Sequence, residues 1–193
     1  MGFLSRSAIE AMGFATVGEN VRISDKASFH NCAQIRLGNH VRIDDFCVFS
    51  AGVGGIVLGD YIHVAAYVSL IGAGKIELAD FCGLSSRVAV YSSNDDYSGA
   101  HMTNPMVPSA YTCVENGDVF IGKHVIVGCG SVIIGPVRLE EGVALGSLSL
   151  VTRDCAAFGI YVGRPAKRIK TRASGLLDHE KAFKEALAKG EQE

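Results

Sequence analysis

The sequence predicts an all-β solenoid with three flat sides per coil, and three observations carry that prediction. An aliphatic or aromatic residue returns every six positions from Val17 to Ala156, and the interval stretches once in every three hexads at first. The rhythm then stops once, between Tyr91 and Phe120, for a polar loop that opens SSNDDYSGAHMTNP. A period of six is not the 3.6 of a helix, and the abundant Gly and β-branched residues favour strands and corners.

Hexads begun at Val17, Ile23, Phe29, Leu37, Ile43, Phe49, Leu58, Val64, Leu70, Leu78, Leu84, Val90, Ile121, Val127, Ile133, Leu139, Leu145 and Val151 all start with Val, Ile, Leu or Phe. Their fifth position is nearly always small or a valine, as at Val21, Ala27, Ala33, Val41, Cys47, Val68, Cys82, Val88, Ser131 and Cys155. One large and one small inward residue per hexad suit short strands joined by tight corners. Gly38-Asn39, Gly59-Asp60 and Ala79-Asp80 recur at a fixed offset, as corners require. The stretched intervals are eight residues from Phe29 to Leu37, nine from Phe49 to Leu58 and eight from Leu70 to Leu78. One corner of the coil therefore bulges repeatedly, with Gly52, Gly54, Gly55, Gly72 and Gly74 supplying backbone freedom. The long loop leaves where the next bulge falls due. About six coils at a strand spacing near 4.8 Å give a prism roughly 29 Å long.

The elements follow in order. Residues 1–16 form a cap segment, whose amphipathic stretch Phe3 to Met12 covers the open end of the first coil with Leu4, Ile9 and Met12. Residues 17–172 form the solenoid, with the excluded loop at 91–120. Tyr161 to Arg172 is basic, and residues 173–193 form a helix with Leu176, Leu177, Phe183, Ala186 and Leu187 at helical spacing and Ser174 as its cap.

Composition fits one compact domain: 193 residues, 48% hydrophobic, 23 glycines and a net charge of -2. That balance argues against nucleic acid as the main partner. No apolar run reaches the length of a membrane span and the N-terminus lacks a signal-peptide core, so the expected compartment is the cytoplasm. The six cysteines include no CxxC pair, and Cys47, Cys82 and Cys155 fall on inward positions, which reads as reduced thiols rather than disulfides or a zinc site.

The hexad prism, its excluded loop, the run VGCGSVIIGPVRLEEGVALGSLSLVTRD and the closing IYVGRPAKRIK together resemble the left-handed β-helix (hexapeptide-repeat) acyltransferases. The likeness is to sugar acetyltransferases related to the galactoside and maltose enzymes, and to nucleotide-amino-sugar N-acyltransferases. It implies a left-handed coil, a homotrimer with active sites between neighbouring prisms, and an acetyl-CoA or acyl-CoA cosubstrate with no metal. Carried over position by position, Cys129 and Ser147 line the pantetheine channel or face the thioester carbonyl, and Thr152 lies beside the nucleotide end. Lys167, Arg168 and Lys170, with Arg172, lie near the phosphates, a task suited to Lys and Arg.

The loop departs from the pattern. The galactoside and maltose enzymes place a histidine after a Tyr-Thr-Ala-Thr-like run, and aligning Val90 to Asn94 with that run puts Asp95 where the histidine stands. An ordinary carboxylate, with a pKa near 4, is a weak base for a sugar hydroxyl unless desolvation raises it. A sugar amine is partly neutral near neutral pH, so a carboxylate need only orient it and accept a proton as the tetrahedral intermediate forms. The pattern therefore points to acyl transfer onto the amino group of a nucleotide-linked amino-deoxysugar for surface polysaccharide, by direct attack with Asp95 as base. Adjacent Asp96 is an alternative base or the anchor of an Asx-type turn, and His101 an alternative base from later in the loop. Tyr97 either stacks on the substrate or anchors the loop, while Ser85 and Ser86 either bond Asp95 or the sugar or serve the corner alone. A sugar O-acetyltransferase is the alternative activity. A zinc-dependent β-helix of the carbonic anhydrase type needs three histidines at other positions than His40, His63 and His124, which read here as corner residues.

Overall fold

The computed structural model describes residues 2–190. Three parallel sheets form the faces of a prism. The first face stacks Thr16–Val17, Ile35–Leu37, Ile56–Leu58, Ile76–Leu78, Val119–Ile121 and Val137–Leu139. The second stacks Arg22–Ile23, Arg42–Ile43, His63–Val64, Gly83–Leu84, Ile126–Val127, Ala144–Leu145 and Gly159–Val162, and is closed by the antiparallel strand Lys167–Thr171. The third holds Ser28–His30, Val48–Ala51, Ser69–Gly72, Ala89–Tyr91, Val132–Ile134 and Leu150–Val151. Six full coils thus run from Thr16 to Val151, and Gly159–Val162 adds part of a seventh.

The hexad leaders form the core column, with Ile23, Ile43, Val64, Phe49, Leu70, Val90 and Ile133 at 0% exposure. Each such side chain contributes roughly 1.5–3 kcal/mol by leaving water. The fifth-position rule fails at Ala33, which is exposed within the 3-10 turn Cys32–Gln34. That turn takes up the stretched interval, so Ile35 rather than Ala33 points inward with Leu37. Ile56, Ile76, Val119 and Val137 repeat this partnership down the first face. Counting six forward across the bulging corner misses them.

Corners between the first and second faces are tied rung to rung. The Asp60 carboxylate accepts the Asn39 backbone N–H at 2.7 Å, and Asp80 accepts that of Asp60 at 2.9 Å. Backbones approach so closely here that a Cβ on Gly38 would sit 2.4 Å from the Gly59 carbonyl oxygen. The next residue but one turns left-handed, and in four successive coils it carries a ring: His40, Tyr61, Phe81 and His124 have φ between 55° and 61°. These rings stack at 4.5, 5.1 and 5.0 Å between centroids. His63, read from sequence as a corner residue, instead lies on a strand and bonds the Asp44 carboxylate at 3.0 Å.

Helix α1, Arg6–Ala11, begins at Ser5, whose hydroxyl accepts the Ala8 N–H, and buries Ile9 over the first coil beside Leu4 and Phe14. Helix α2, Leu176–Ala188, lies along the ring column: Phe183 meets Tyr61 and Phe81 edge-on at 5.2 and 6.3 Å. Glu180 bonds His124 at 2.7 Å and pairs with Lys123 and Lys184 at 2.5 and 2.7 Å. The helix begins after Gly175 with no side-chain cap, so the Ser174 hydroxyl does not cap it and only its carbonyl serves, accepting the Leu177 N–H. The last three residues of the sequence-read helix segment, 191–193, lie outside the described residues.

Candidate active site

The third corner, where the chain passes from the third face to the first face of the next coil, bulges at 31–34 and 52–55 and then opens into the long loop. Tyr91 ends a third-face strand and Val119 resumes the first face, so the excursion is two residues shorter at its far end than the sequence suggested. Its base is a short antiparallel ribbon, Ser93–Asn94 against Glu115–Asn116. Ser92 is buried and donates to the Gly74 carbonyl at 2.7 Å, while the Ser93 hydroxyl accepts the Ala73 N–H and bonds Asn116. The loop therefore departs from a fixed stem.

Asp95 and Asp96 sit side by side but face different tasks. Asp96 accepts the Ser98 N–H at 2.7 Å, the His101 N–H at 3.0 Å and the His101 ring Nδ1 at 3.0 Å. Those bonds, led by Ser98, hold its carboxyl well below the usual carboxylate range. Asp96 is thus the loop's internal knot, and His101 is consumed by it; neither lines the cleft beside the loop. Asp95 is exposed and makes no hydrogen bond or ion pair among the described residues. It opens on a cleft of about 740 Å³ whose floor is Ile71, Tyr91, Val132 and Ile134 from the third face, with Tyr97 among the loop residues around it. Thr112 and Val114 from the returning limb also line it, and the Thr-Cys-Val alternation, one side of an extended segment, was the available signal for them.

Ser85 and Ser86 lie elsewhere, at the second corner, between the second and third faces. The strand Ala89–Tyr91 separates them from Asp95, and neither lines its cleft. Cys129 and Ser147 occupy the same second corner one and two coils on, both exposed. The rungs are linked: Gly130 N–H donates to the Ser86 carbonyl at 3.0 Å, and Leu148 N–H to the Cys129 carbonyl at 2.8 Å. The structure thus groups Ser85, Ser86, Cys129 and Ser147 on one edge and Asp95 with Tyr97 on another.

Thr152 and Lys167 line a separate hollow of about 220 Å³ at the C-terminal end, with Asp154 and Tyr161. Tyr161 seals the core there, its hydroxyl accepting the Ala156 N–H at 2.8 Å. Arg168 and Lys170 are exposed on the closing strand. Arg172 does not join this cluster, because its guanidinium turns back to the His124 and Gly142 carbonyls at 2.8 and 3.1 Å. These exposed cations beside a row of small corner residues suit a ligand with a thin arm and a phosphorylated end. Burial raises the thiols of Cys47 and Cys155 to about 11 and that of Cys82 to about 12, so they are inert, and no cysteine is paired. Among the described residues no group of three His, Cys, Asp or Glu is placed to hold a metal ion, and no helix is long and apolar enough to cross a membrane.

No family model matches the chain. It is 57% identical over 184 residues, 95% of its length and 96% of the relative's, to a dTDP-4-amino-4,6-dideoxy-D-glucose acyltransferase of Escherichia coli. It superposes with a TM-score of 0.92, at 41% identity and over 96% and 98% of the two chains, on AntD, an N-acyltransferase from Bacillus cereus in complex with dTDP and 3-hydroxybutyryl-CoA. A maltose O-acetyltransferase from Clostridium difficile, 21% identical with a TM-score of 0.53, shares the fold over 88% of this chain and 75% of its own.

Proposed function

The chain belongs to the hexapeptide-repeat acyltransferase family that includes the Escherichia coli dTDP-4-amino-4,6-dideoxy-D-glucose acyltransferase and AntD; it is an acyl-CoA-dependent N-acyltransferase of a nucleotide-linked amino sugar, and we propose that its acceptor is the 4-amino group of dTDP-4-amino-4,6-dideoxyglucose. The observation that carries the catalytic assignment is the division of labour at Asp95 and Asp96. Asp96 is spent on the loop's own N–H groups, and Asp95 is left free above the cleft.

Asp95 orients the neutral amine, whose nitrogen attacks the thioester carbonyl carbon. As the C–N bond forms, the carbonyl electron pair moves to oxygen, which corner N–H groups stabilise, and the amine proton passes to the Asp95 carboxylate. The oxygen pair returns, the C–S bond breaks, and the proton ends on the departing thiolate. Cys129 and Ser147 flank the pantetheine arm, while Thr152, Lys167, Arg168 and Lys170 serve its phosphorylated end. No acyl-enzyme is required, because no cysteine has a histidine poised beside it.

Assembly as a homotrimer belongs to the same reading. Within one chain a third-face strand, roughly 10 Å of extended backbone, separates Ser85 from Asp95. A neighbouring prism that lays its loop over the second corner brings the two together. AntD has been solved with a substituted serine and a substituted aspartate ten positions apart, the spacing of Ser85 and Asp95 here. We place the enzyme in the cytoplasm, where unpaired thiols stay reduced, supplying an acylated sugar for surface polysaccharide.

The test follows coenzyme A release with a thiol reagent, using acetyl-CoA and either dTDP-4-amino-4,6-dideoxyglucose or dTDP-glucose. Release with the amino sugar alone, reduced at least about 100-fold in Asp95→Asn, is the expected result. Equal release with the hydroxyl sugar moves the assignment to O-acetylation, and an unchanged Asp95→Asn rate removes Asp95 as base.

A further inference from the structure

Asp95 is aimed by its backbone alone. Its carboxylate has no hydrogen bond or ion pair of its own among the described residues, so the peptide units on either side set where it points. Both sides are anchored, by different means. On the near side Ser93–Asn94 pairs with Glu115–Asn116 in the stem ribbon, with Asn94 opposite Glu115. On the far side the Asp96 carboxylate gathers three donors: Oδ1 accepts the Ser98 N–H at 2.7 Å, and Oδ2 accepts both the backbone N–H and the ring Nδ1–H of His101 at 3.0 Å. The Ser98 hydroxyl accepts the Ala100 N–H at 3.2 Å within the turn so closed. The next residue ties that turn to the wall of the cleft: Met102 N–H donates to the Tyr111 carbonyl at 3.0 Å and Met102 bridges to Thr112, which lines the cleft. Asp95 is the one residue between the two anchors, and only its own φ and ψ remain soft.

We propose that Asp96 and His101 are positioning residues for the acyl transfer: by closing the far side of this clamp they aim the Asp95 carboxylate at the acceptor amine. Their role rests on the reading of Asp95 as the base and adds what holds that base in place. Hydrogen bonds made directly to the Asp95 carboxylate would favour its charged form and weaken it as a base. Asp96 shows the effect, since its bonds, led by Ser98, hold its carboxyl well below the usual carboxylate range. Orienting Asp95 through the chain fixes its direction and leaves its oxygens open for the proton. Histidine suits the far anchor for a specific reason. An ionised carboxylate only accepts, so the ring nitrogen that faces it carries the proton, and one residue supplies two donors to one oxygen. The other ring nitrogen, Nε2, has no partner, and His101 does not line the cleft, so the ring acts as a donor and not as a base.

Steady-state kinetics of the full-length protein with acetyl-CoA and dTDP-4-amino-4,6-dideoxyglucose test the clamp. Wild type is compared with His101→Ala, Asp96→Ala, His101→Asn, Asp95→Asn and the double variant His101→Ala/Asp95→Asn, with thermal melting of each to separate a rate loss from one of folding. An asparagine amide can place an N–H where the ring Nδ1–H stands, but it carries no basic nitrogen. The expected result is that His101→Ala and Asp96→Ala each lower kcat about tenfold with both KM values held within about twofold, and that His101→Asn restores most of the rate. In the Asp95→Asn background the loss of His101 costs less than about twofold, because a positioning residue then has nothing left to aim. Full kcat in either clamp variant, while Asp95→Asn loses it, overturns the clamp and leaves the base standing. A His101→Asn protein as slow as His101→Ala, or the whole His101→Ala loss repeated in the Asp95→Asn background, shows that the ring itself reacts and also overturns the positioning role. Asp95→Asn at the wild-type rate removes the base and the positioning role together.

Discussion

At the first corner of the prism His40, Tyr61, Phe81 and His124 form one stack, which α2 covers through Phe183, edge-on to Tyr61 and Phe81, and Glu180, bonded to His124. At the second corner Phe46 and Tyr67 stack in the same left-handed conformation, with about half of each ring bare. The backbone rule is identical, because each ring sits just before a buried inward residue that leads into the next strand: Val41, Ile62, Cys82 and Val125 at one corner, Cys47 and Val68 at the other. What differs is the cover. A solenoid corner offers a ladder of side chains at about 4.8 Å spacing, and the chain can bury that ladder under its own helix or leave it open. The covered ladder anchors α2, and the open one leaves its rings in solvent.

The sharpest way to break that contrast is to delete one ring from each column. Phe81→Ala removes contacts to Tyr61, His124 and Phe183 together. A loss of about 2 kcal/mol is expected for a partly buried phenyl ring, which lowers Tm by about 4–8 °C, while the rate per folded molecule is retained. Tyr67→Ala should move Tm by less than about 2 °C. Equal falls in Tm would show the open column to be structural as well.

The next largest effect is electrostatic and has a sign. Lys123 first, then Lys184 and His124, hold the Glu180 carboxyl down to about 2 from an ordinary 4.5. Its folded-state value lies below its unfolded one, so its contribution is complete above about pH 4.5 and is lost as pH falls toward 2. Glu180→Gln should therefore lower Tm by about 2–4 °C at pH 7, a loss near 1 kcal/mol. The gap between variant and wild type should close between pH 4.5 and 2. A gap independent of pH across that window would mean that the helix is held by Phe183 and shape alone.

Much of this was legible in the sequence, and the failures are instructive. The hexad leaders are the core almost without exception, since one large side chain per face must point inward. Ala33 failed because counting assumed a constant corner, and a 3-10 turn absorbed the extra residues. Asp95 and Asp96 could not be told apart in a chain read linearly; three hydrogen bonds to Asp96 separate them. The basic run looked uniform, yet Arg172 faces carbonyls of the first corner while Arg168 and Lys170 face solvent. The ring columns did leave a signal, an aromatic or cationic residue immediately before the small inward position. Inward patterning does not reach it, because the residue that points out is not constrained by the core.

The smallest expected effect concerns how α2 is held. Sequence pattern makes Ser174 the cap, but the helix begins after Gly175 and the Ser174 hydroxyl bonds none of its N–H groups. The first turn is instead served by backbone, with Leu177 N–H donating to the Ser174 carbonyl and Asp178 N–H to that of Gly175. A true capping serine is worth about 1 kcal/mol, hence about 2–4 °C in Tm for a chain of this size. Ser174→Ala should shift Tm by less than about 1 °C, because the covered ring column and Glu180, not the helix terminus, fix α2 on the prism. A fall of the full capping size would show that the hydroxyl reaches the first turn in solution. It would also move part of the helix's anchorage away from the column, weakening the distinction between the two corners at its covered end.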